Sequence, residues 1–265
     1  MIGYTYYANG NYEKAFEEFT TINNTRDTIT QYAYYNAAEC FLRLDRKANA
    51  RDAFLQASLL DYNTRLKERS TFNYAKLSYD LGFNSEALST LRKFISSFPK
   101  SELVTEAKTL QGEVLLGSKN YKEAIEVLES ITNMNQQTQK VYQQITFYRA
   151  IQMLDEGWAN ADAAFAYLEK SKKYPWDKKL DALADFWKGE VAFQRGKYWD
   201  CIKYTRTFLE YDDVKNTEMY ATAFYNTGYC YIKAADEDKS YKDVVLHYGK
   251  AAENFKNYTK NVKFL

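Results

Sequence analysis

Residue types that commonly carry chemistry are scarce in this chain of 265 residues. It contains one histidine, three cysteines and two prolines. The spacing of Cys40, Cys201 and Cys230 matches neither a zinc site nor a disulfide framework, so we expect three small buried thiols. The motifs H-E-x-x-H, G-x-x-x-x-G-K-[ST] and G-x-S-x-G are absent from the sequence. We therefore predict that the protein is not an enzyme and has no catalytic, cofactor-binding or metal-binding residues.

The chain also lacks a strong net charge and long apolar runs. Its 36 basic residues are balanced by 35 acidic ones, so no basic excess exists to drive binding to nucleic acid. No stretch reaches the roughly 18 apolar residues that a membrane-spanning helix needs. The first residues do not have the basic and apolar pattern of a signal peptide. We expect no nucleic-acid partner and no membrane span.

Isolated charged groups in the sequence have ordinary surface explanations. We expect His247 on the outer face of the last helix, and Asp181 with Asp185 on a solvated helix face. A cluster of lysines surrounds Pro175, and it consists of Lys170, Lys172, Lys173, Lys178 and Lys179. A solvated loop is the favoured interpretation of this cluster, and a patch for phosphate or anionic lipid is the alternative.

A small-residue signature recurs along the chain. Its members are Ala15, Ala50, Ala87, Ala124 and Ala161, continued by Cys201 and Val244. The steps between them are 35, 37, 37, 37, 40 and 43 residues, and a bulky residue follows most of them four positions later. Such a period indicates stacked supersecondary structures, each too small to bury its own apolar face. Either Ala161 or Ala164 can serve as the packing alanine of its repeat.

Each repeat has the pattern of a helical hairpin. In the first repeat, Asn9-Gly10-Asn11 separates one apolar helical face from a second one marked by Tyr12, Ala15, Phe16 and Phe19. Phe224-x2-Thr227-Gly228-x2-Tyr231 gives the first-helix pattern elsewhere, and Pro99 and Pro175 each follow a second helix. These features resemble the tetratricopeptide repeat (TPR) over almost the whole chain. We expect Ala87, Ala124, Gly112 and Gly189 to be buried where helices cross.

The resemblance implies an all-α fold, an open right-handed superhelical solenoid of about seven TPR-like hairpins. We predict one solenoid over residues 1–265, with repeats at 1–29, 30–66, 67–103, 104–138, 139–177, 178–216 and 217–265. The first repeat lacks most of its first helix, and the last run keeps Phe255, Tyr258 and Val262 on one apolar face. We therefore expect the chain to be a piece of a longer array that self-associates through its terminal repeats.

In this family the first helices line the concave face. The side chains that share its inward phase, and that we predict to bind a partner, are Tyr35, Phe72, Lys76, Tyr79, Phe186, Phe193 and Tyr225. Glutamates such as Glu39, Glu113 and Glu190 lie between the aromatic residues. Such a surface suits a peptide that buries side chains against the rings. Packing between neighbouring repeats explains the same rings equally well.

Three functions remain open at this point. The leading hypothesis is a non-enzymatic scaffold that binds a protein or peptide in the concave groove. The chain resembles long bacterial TPR proteins of cell-envelope assemblies, which favours a periplasmic or envelope-associated location over a cytoplasmic one. The alternative is a sensor or regulatory segment of a larger signalling protein. A helical-toroid enzyme acting on glycans comes third, because no paired carboxylates in a closed barrel are indicated.

Overall fold

A computed structural model describes residues 2–21, 27–237 and 241–262. The described residues form fourteen α-helices and two short 3₁₀ helices, and they contain no strand. The chain divides into two compact bodies, an N-terminal body (Met1–Met134) and a C-terminal body (Asn135–Leu265). The predicted all-α class is confirmed. None of the helices within these described stretches is long and apolar enough to cross a bilayer.

The described residues of the N-terminal body form eight helices that pair as consecutive hairpins. They are α1 (Ile2–Ala8), α2 (Tyr12–Thr20), α3 (Thr28–Arg43), α4 (Lys47–Ser58), α5 (Thr64–Asp80), α6 (Asn84–Ser97), α7 (Val104–Gly117) and α8 (Tyr121–Glu129). Each second helix from α2 to α6 also packs against the first helix of the following hairpin. Helices α2 to α7 are thereby packed against a helix on two sides within this body.

The C-terminal body continues the same pattern with six helices. They are α9 (Gln136–Glu156), α10 (Ala161–Lys172), α11 (Lys178–Gln194), α12 (Tyr198–Leu209), α13 (Glu218–Glu237) and α14 (Tyr241–Asn261). The 3₁₀ turns Trp158–Asn160 and Asp212–Val214 lie in the connections before α10 and after α12. The longest helices, α9 and α14, have 21 residues each, which accounts for part of the irregular repeat length.

Local chemistry explains where the helices begin. The side chains of Asp27, Asn63, Asn135 and Asp177 accept hydrogen bonds from the first-turn amides of α3, α5, α9 and α11. These caps satisfy backbone donors that the helix itself cannot pair. Short polar residues in the preceding loop therefore delimit these four helices, whereas α7 begins after Leu103 without a side-chain cap.

The turn inside most hairpins contains one residue in the left-handed region. It stands five positions before the signature residue, at Gly10, Asp45, Gly82, Lys119 and Gly196, with φ between 55° and 84°. Glycine adopts this conformation without a steric cost, whereas Asp45 and Lys119 carry a Cβ there. The turn geometry thus repeats with the signature even where the residue type does not.

The signature residues are the centres of helix crossings. Ala15, Ala50, Ala87, Ala124, Ala161 and Cys201 are at most 1% exposed. A Cβ added to Gly112 would lie 3.0 Å from Leu128 Cδ2, and one added to Gly189 would lie 2.7 Å from Thr205 Cγ2. The predicted burial of Ala87, Ala124, Gly112 and Gly189 is confirmed. Ala161 and Ala164 are both buried, and the side chains of Val244 and Tyr248 lie outside the described residues.

Buried glutamines hold two of the loops between hairpins. Gln31 of α3 donates through Nε2 to Leu60 O at 2.7 Å, and Asn63 N donates to Gln31 Oε1 at 2.7 Å. Gln143 of α9 makes the corresponding pair of bonds with Asp177. Its Nε2 donates to Asp177 O at 3.0 Å, and Asp177 N donates to Gln143 Oε1 at 2.8 Å. Both glutamines are fully buried, so their amides replace the water that these loop groups would otherwise bind. Each contact fixes the residue that caps the next first helix.

Candidate functional site

A cleft of about 650 Å³ opens in the N-terminal body between α3, α5, α7 and the loop that joins α6 to α7. Its basic lining residues are Arg65, Arg69, Lys76 and Lys100. Its acidic lining residues are Glu39, Glu68, Glu102 and Glu106. The two signs are therefore present in equal number, and the remaining lining includes Tyr35, Phe72, Asn73, Ser101 and Leu103.

Three of the residues predicted to bind a partner meet in this cleft: Tyr35, Phe72 and Lys76. Tyr35 is half-buried, and its ring packs edge-on against Phe54 with centroids 5.6 Å apart. Burial, together with the charge of Glu39, raises the pKa of the Tyr35 phenol, and a hydrogen bond with Arg69 partly offsets the rise. The Tyr35 phenol is thus held in its protonated form between the carboxylate of Glu39 and the guanidinium of Arg69.

Phe72 forms the apolar floor of the cleft. It is 4% exposed and contacts Phe94 with a centroid distance of 5.6 Å, so most of its ring belongs to the core. The Nζ of Lys76 lies 5.9 Å from the same ring and 2.9 Å from Glu106 Oε1. Lys76 and Glu106 are about half exposed, which leaves both charges accessible from solvent. The cleft therefore combines a small apolar patch with reachable charges.

The loop wall of the cleft is held by its own hydrogen bonds. Ser101 donates its hydroxyl proton to Glu68 of α5, and Leu103 N donates to Ser101 Oγ at 3.0 Å. These contacts fix the loop against α5 and define one wall in the absence of a ligand. A site that is already shaped loses less conformational entropy when a partner binds.

The other predicted binding residues lie apart from this cleft. Tyr79 is half-buried two turns further along α5, against the core cluster that contains Leu91. Phe186 is 4% exposed and packs on Phe208 at 5.2 Å. Its ring is therefore part of the helix packing in the C-terminal body.

The two remaining members of the predicted set also lie in the C-terminal body. Phe193 is half-buried and contacts Tyr229 at 5.4 Å. Tyr225 is 44% exposed and lies 5.8 Å from Phe255 and 5.5 Å from Tyr258, measured between ring centroids. In this body, Tyr225 is the predicted residue that a partner can reach most easily.

Sequence reasoning missed a buried ion network in the C-terminal body. Lys172 Nζ lies 2.9 Å from Asp181 Oδ1 and 2.8 Å from Asp185 Oδ2, and the Tyr211 hydroxyl donates to Asp181 Oδ2 at 2.7 Å. Asp181 and Asp185 are 7% and 2% exposed, so the expectation that they lie on a solvated face was wrong. The two carboxylates of α11 are covered by Tyr211, in the loop after α12, and by α10. Lys172 is likewise not a solvated member of the lysine cluster around Pro175, because its ammonium group pairs with both carboxylates.

The electrostatics of this network follow from burial and pairing. Burial acts to lower the pKa of Lys172, but the hydrogen bonds of two carboxylates outweigh it and raise that pKa. Burial, with the hydrogen bond to Asp181, raises the pKa of Tyr211 to about 12. Lys172 is therefore a fixed cation and Tyr211 a fixed donor, and the arrangement joins α10, α11 and the loop after α12.

A half-buried acid, Glu190, lies between α11 and α13. Asn226 donates its side-chain amide to Glu190 Oε1, and desolvation raises the pKa of Glu190 to about 7. Glu190 was placed by helical phase on the inward face, but its burial was not predicted. Because the group titrates near neutrality, its charge depends on pH under ordinary solution conditions.

The histidine and the cysteines are all buried. His247 is 7% exposed and lies between Trp199 and Tyr231, with ring centroids 5.0 and 6.0 Å away. The expectation of an outward His247 was wrong, because Trp199 of α12 covers it. Cys40, Cys201 and Cys230 are fully buried, as predicted. No group of three or more metal-ligating side chains occurs among the residues with described positions.

The repeated hairpins define a helical-repeat protein. Within that class, residues 32–57, which cover most of α3 and α4, match the family model of the tetratricopeptide repeat. The resemblance noted in the sequence is therefore confirmed by the family model for residues 32–57. This fold supports a protein-interaction scaffold in general.

Two of the solved structures of similar architecture are bacterial proteins. The C-terminal part of a TPR repeat-containing protein from Cytophaga hutchinsonii is 15% identical, with a TM-score of 0.49 and 99% of each chain covered. A tetratricopeptide repeat protein from Parabacteroides merdae is 16% identical, with a TM-score of 0.48, covering 98% of this chain and 94% of that one. No curated protein matches the sequence.

Proposed function

We propose that this protein is a non-enzymatic scaffold that binds a segment of a partner protein in the cleft of the N-terminal body. The observation that carries the proposal is the meeting of Tyr35, Phe72 and Lys76 in one preformed cleft of about 650 Å³. This volume is in the range of pockets that accept a few side chains. A partner residue that enters the cleft exchanges water for the Phe72 floor and the Tyr35 ring.

The charges of the cleft favour a segment of mixed charge. Four basic and four acidic side chains line it, so a strongly basic or strongly acidic peptide gains no net attraction. The exposed pair of Lys76 and Glu106 can each be matched by an opposite charge on the partner. Such pairing sets the direction and register of the segment more than its affinity. In the C-terminal body, the exposed Tyr225 is the proposed additional contact.

A defined peptide library tests this proposal. Random peptides displayed on phage are selected on the folded chain, and the enriched peptides are then synthesised for fluorescence anisotropy titrations. In the key variant, Asn73→Trp, a large ring fills the cleft from the half-buried Asn73 position. Blocking a true anchor pocket should cost about 2 kcal/mol or more, which is roughly a 30-fold weaker Kd.

Matched variants separate this site from other surfaces. Lys76→Glu reverses a charge at the rim of the cleft, and Lys93→Glu makes the same change on the exposed surface of α6. We expect weaker binding for Lys76→Glu and an unchanged Kd for Lys93→Glu. Equal binding by wild type, Asn73→Trp and Lys76→Glu, with circular dichroism spectra alike, would exclude the cleft as the binding site. The periplasmic or envelope-associated location that we expect from the sequence is tested separately. The source cells are fractionated, and each fraction is probed for the protein.

A further inference from the structure

Two of the three cysteines lie side by side in the C-terminal body. Cys201 is on α12 and Cys230 is on α13, and both side chains are fully buried in one core cluster with Ala192, Ile202 and Tyr231. The two helices that carry these cysteines pack directly against each other. Cys40 lies in the N-terminal body, on α3, and is likewise buried.

Helices α12 and α13 approach each other closely next to the level of the two cysteines. One turn away from the pair, the hydroxyl oxygens of Thr205 and Thr227 are only 2.7 Å apart. Both threonines are buried, at 0% and 1% exposure. Short side chains at two successive levels therefore let α12 and α13 approach. A disulfide requires this closeness, because Cα atoms more than about 7 Å apart cannot be bridged.

We propose that Cys201 and Cys230 form a modification site, a thiol pair that exchange with a disulfide oxidant such as glutathione disulfide converts into one intramolecular disulfide. In the first step, one cysteine loses its proton and attacks a sulfur of glutathione disulfide, and one glutathione thiolate leaves. In the second step, the other cysteine loses its proton and attacks the mixed disulfide, which releases the second glutathione. The two cysteines lose two electrons and two protons, and the oxidant is reduced to two thiols.

Burial determines when the first step occurs. The hydrogen bond with Cys230, followed by desolvation, raises the pKa of Cys201 far above its usual range, so the closed core holds no thiolate. The attack therefore takes place while α12 and α13 are apart, during folding or local opening. Closure of the helices then places the second sulfur against the mixed disulfide at high effective concentration. The filled core has no room for a retained glutathione, which favours the intramolecular product.

The experiment follows the fate of each thiol in the full chain. The fully reduced protein is denatured and then refolded by dilution into a buffer of reduced and oxidised glutathione, which removes the kinetic barrier of the closed core. The reaction is quenched with acid, free thiols are alkylated, and intact and peptide masses are measured. We expect two of the three thiols to be lost, with one linkage between the peptides containing Cys201 and Cys230. Thermal unfolding should then shift to higher temperature, and reduction should reverse the shift.

Single replacements supply the controls. Cys201→Ala introduces the residue that other repeats carry at this position, so it is expected to fold, and Cys230→Ala removes the other partner. Either variant should lose the linkage and the reversible thermal shift, whereas Cys40→Ala should keep both. A stable glutathione adduct, a linkage through Cys40, an intermolecular dimer or three remaining thiols in the refolded wild type would each overturn the proposal.

Discussion

Glu190 makes the stability of the C-terminal body depend on pH around neutrality. Its carboxyl is half-buried between α11 and α13, and desolvation raises its pKa from 4.5 to about 7. In the unfolded chain the same group titrates near its ordinary value. Between these two values the folded state therefore binds a proton that the unfolded state has released. The free energy of unfolding therefore falls as pH rises through this window, because unfolding releases that proton and a higher pH favours its release.

The magnitude can be worked out from the two pKa values. A difference of about 2.5 units corresponds to roughly 3 kcal/mol, since each unit is about 1.4 kcal/mol. The side-chain amide of Asn226 donates to Glu190 Oε1 and favours the charged form, which reduces this figure. We therefore expect a loss of about 2–3 kcal/mol in the free energy of unfolding between pH 4.5 and pH 7, and little further change above pH 8.

Replacing the acid with its neutral isostere tests the reasoning. Glu190→Gln keeps an oxygen for the Asn226 amide and removes the titration. All four tryptophans, Trp158, Trp176, Trp187 and Trp199, belong to the C-terminal body, so tryptophan fluorescence follows the body that contains Glu190. Urea titrations from pH 4.5 to pH 8.5 should show the variant equal to wild type at the acid end and about 2–3 kcal/mol more stable at pH 8.

A matched variant in the other body makes the comparison specific. Glu126→Gln, on the exposed surface of α8, makes the same chemical change in the N-terminal body and should leave the fluorescence-detected unfolding unchanged. If wild type and Glu190→Gln differ by a constant amount at every pH, Glu190 does not have a raised pKa and the argument from burial fails.

Two further predictions concern buried polar contacts and backbone strain. Lys172→Met leaves the buried carboxylates of Asp181 and Asp185 without their cation, and it should destabilise the C-terminal body by about 3–5 kcal/mol in urea titrations followed by tryptophan fluorescence. The exposed neighbour provides the control, because Lys173→Met removes the same charge and should cost under about 0.5 kcal/mol; equal losses would contradict a buried network. Lys119→Gly should stabilise the N-terminal body by up to about 1 kcal/mol, because Lys119 adopts φ of 59°. Amide hydrogen exchange in α7 and α8 measures this gain, and we expect slower exchange in the variant. Faster exchange would show that the lysine side chain stabilises the turn by more than the backbone strain costs.

Much of the fold could be predicted from local patterns. The small residues at Ala87, Ala124 and Gly112 recur at helical phase, and only small residues fit where two helices cross closely. Their burial followed from that steric rule and from the repeat period.

The candidate binding site was predicted only in part. Helical phase selected Tyr35, Phe72 and Lys76, which line one cleft. The same phase also selected Phe186, although its ring is enclosed by Phe208 and its neighbours in the core. Phase alone reports the direction of a side chain from its own helix. It does not report how closely the next hairpin covers that side chain.

Sequence patterns were thus sufficient to predict the class of fold, the repeat and the packing alanines, because these depend on contacts within a hairpin and on a period that the chain displays directly. The folded structure was needed to show that Asp181 and Asp185 are enclosed with Lys172, that Glu190 is desolvated, and that Cys201 and Cys230 share one core cluster. These contacts join side chains from different hairpins. They depend on the stacking of one hairpin on the next and on the paths of the loops between them, which no local spacing in the sequence encodes.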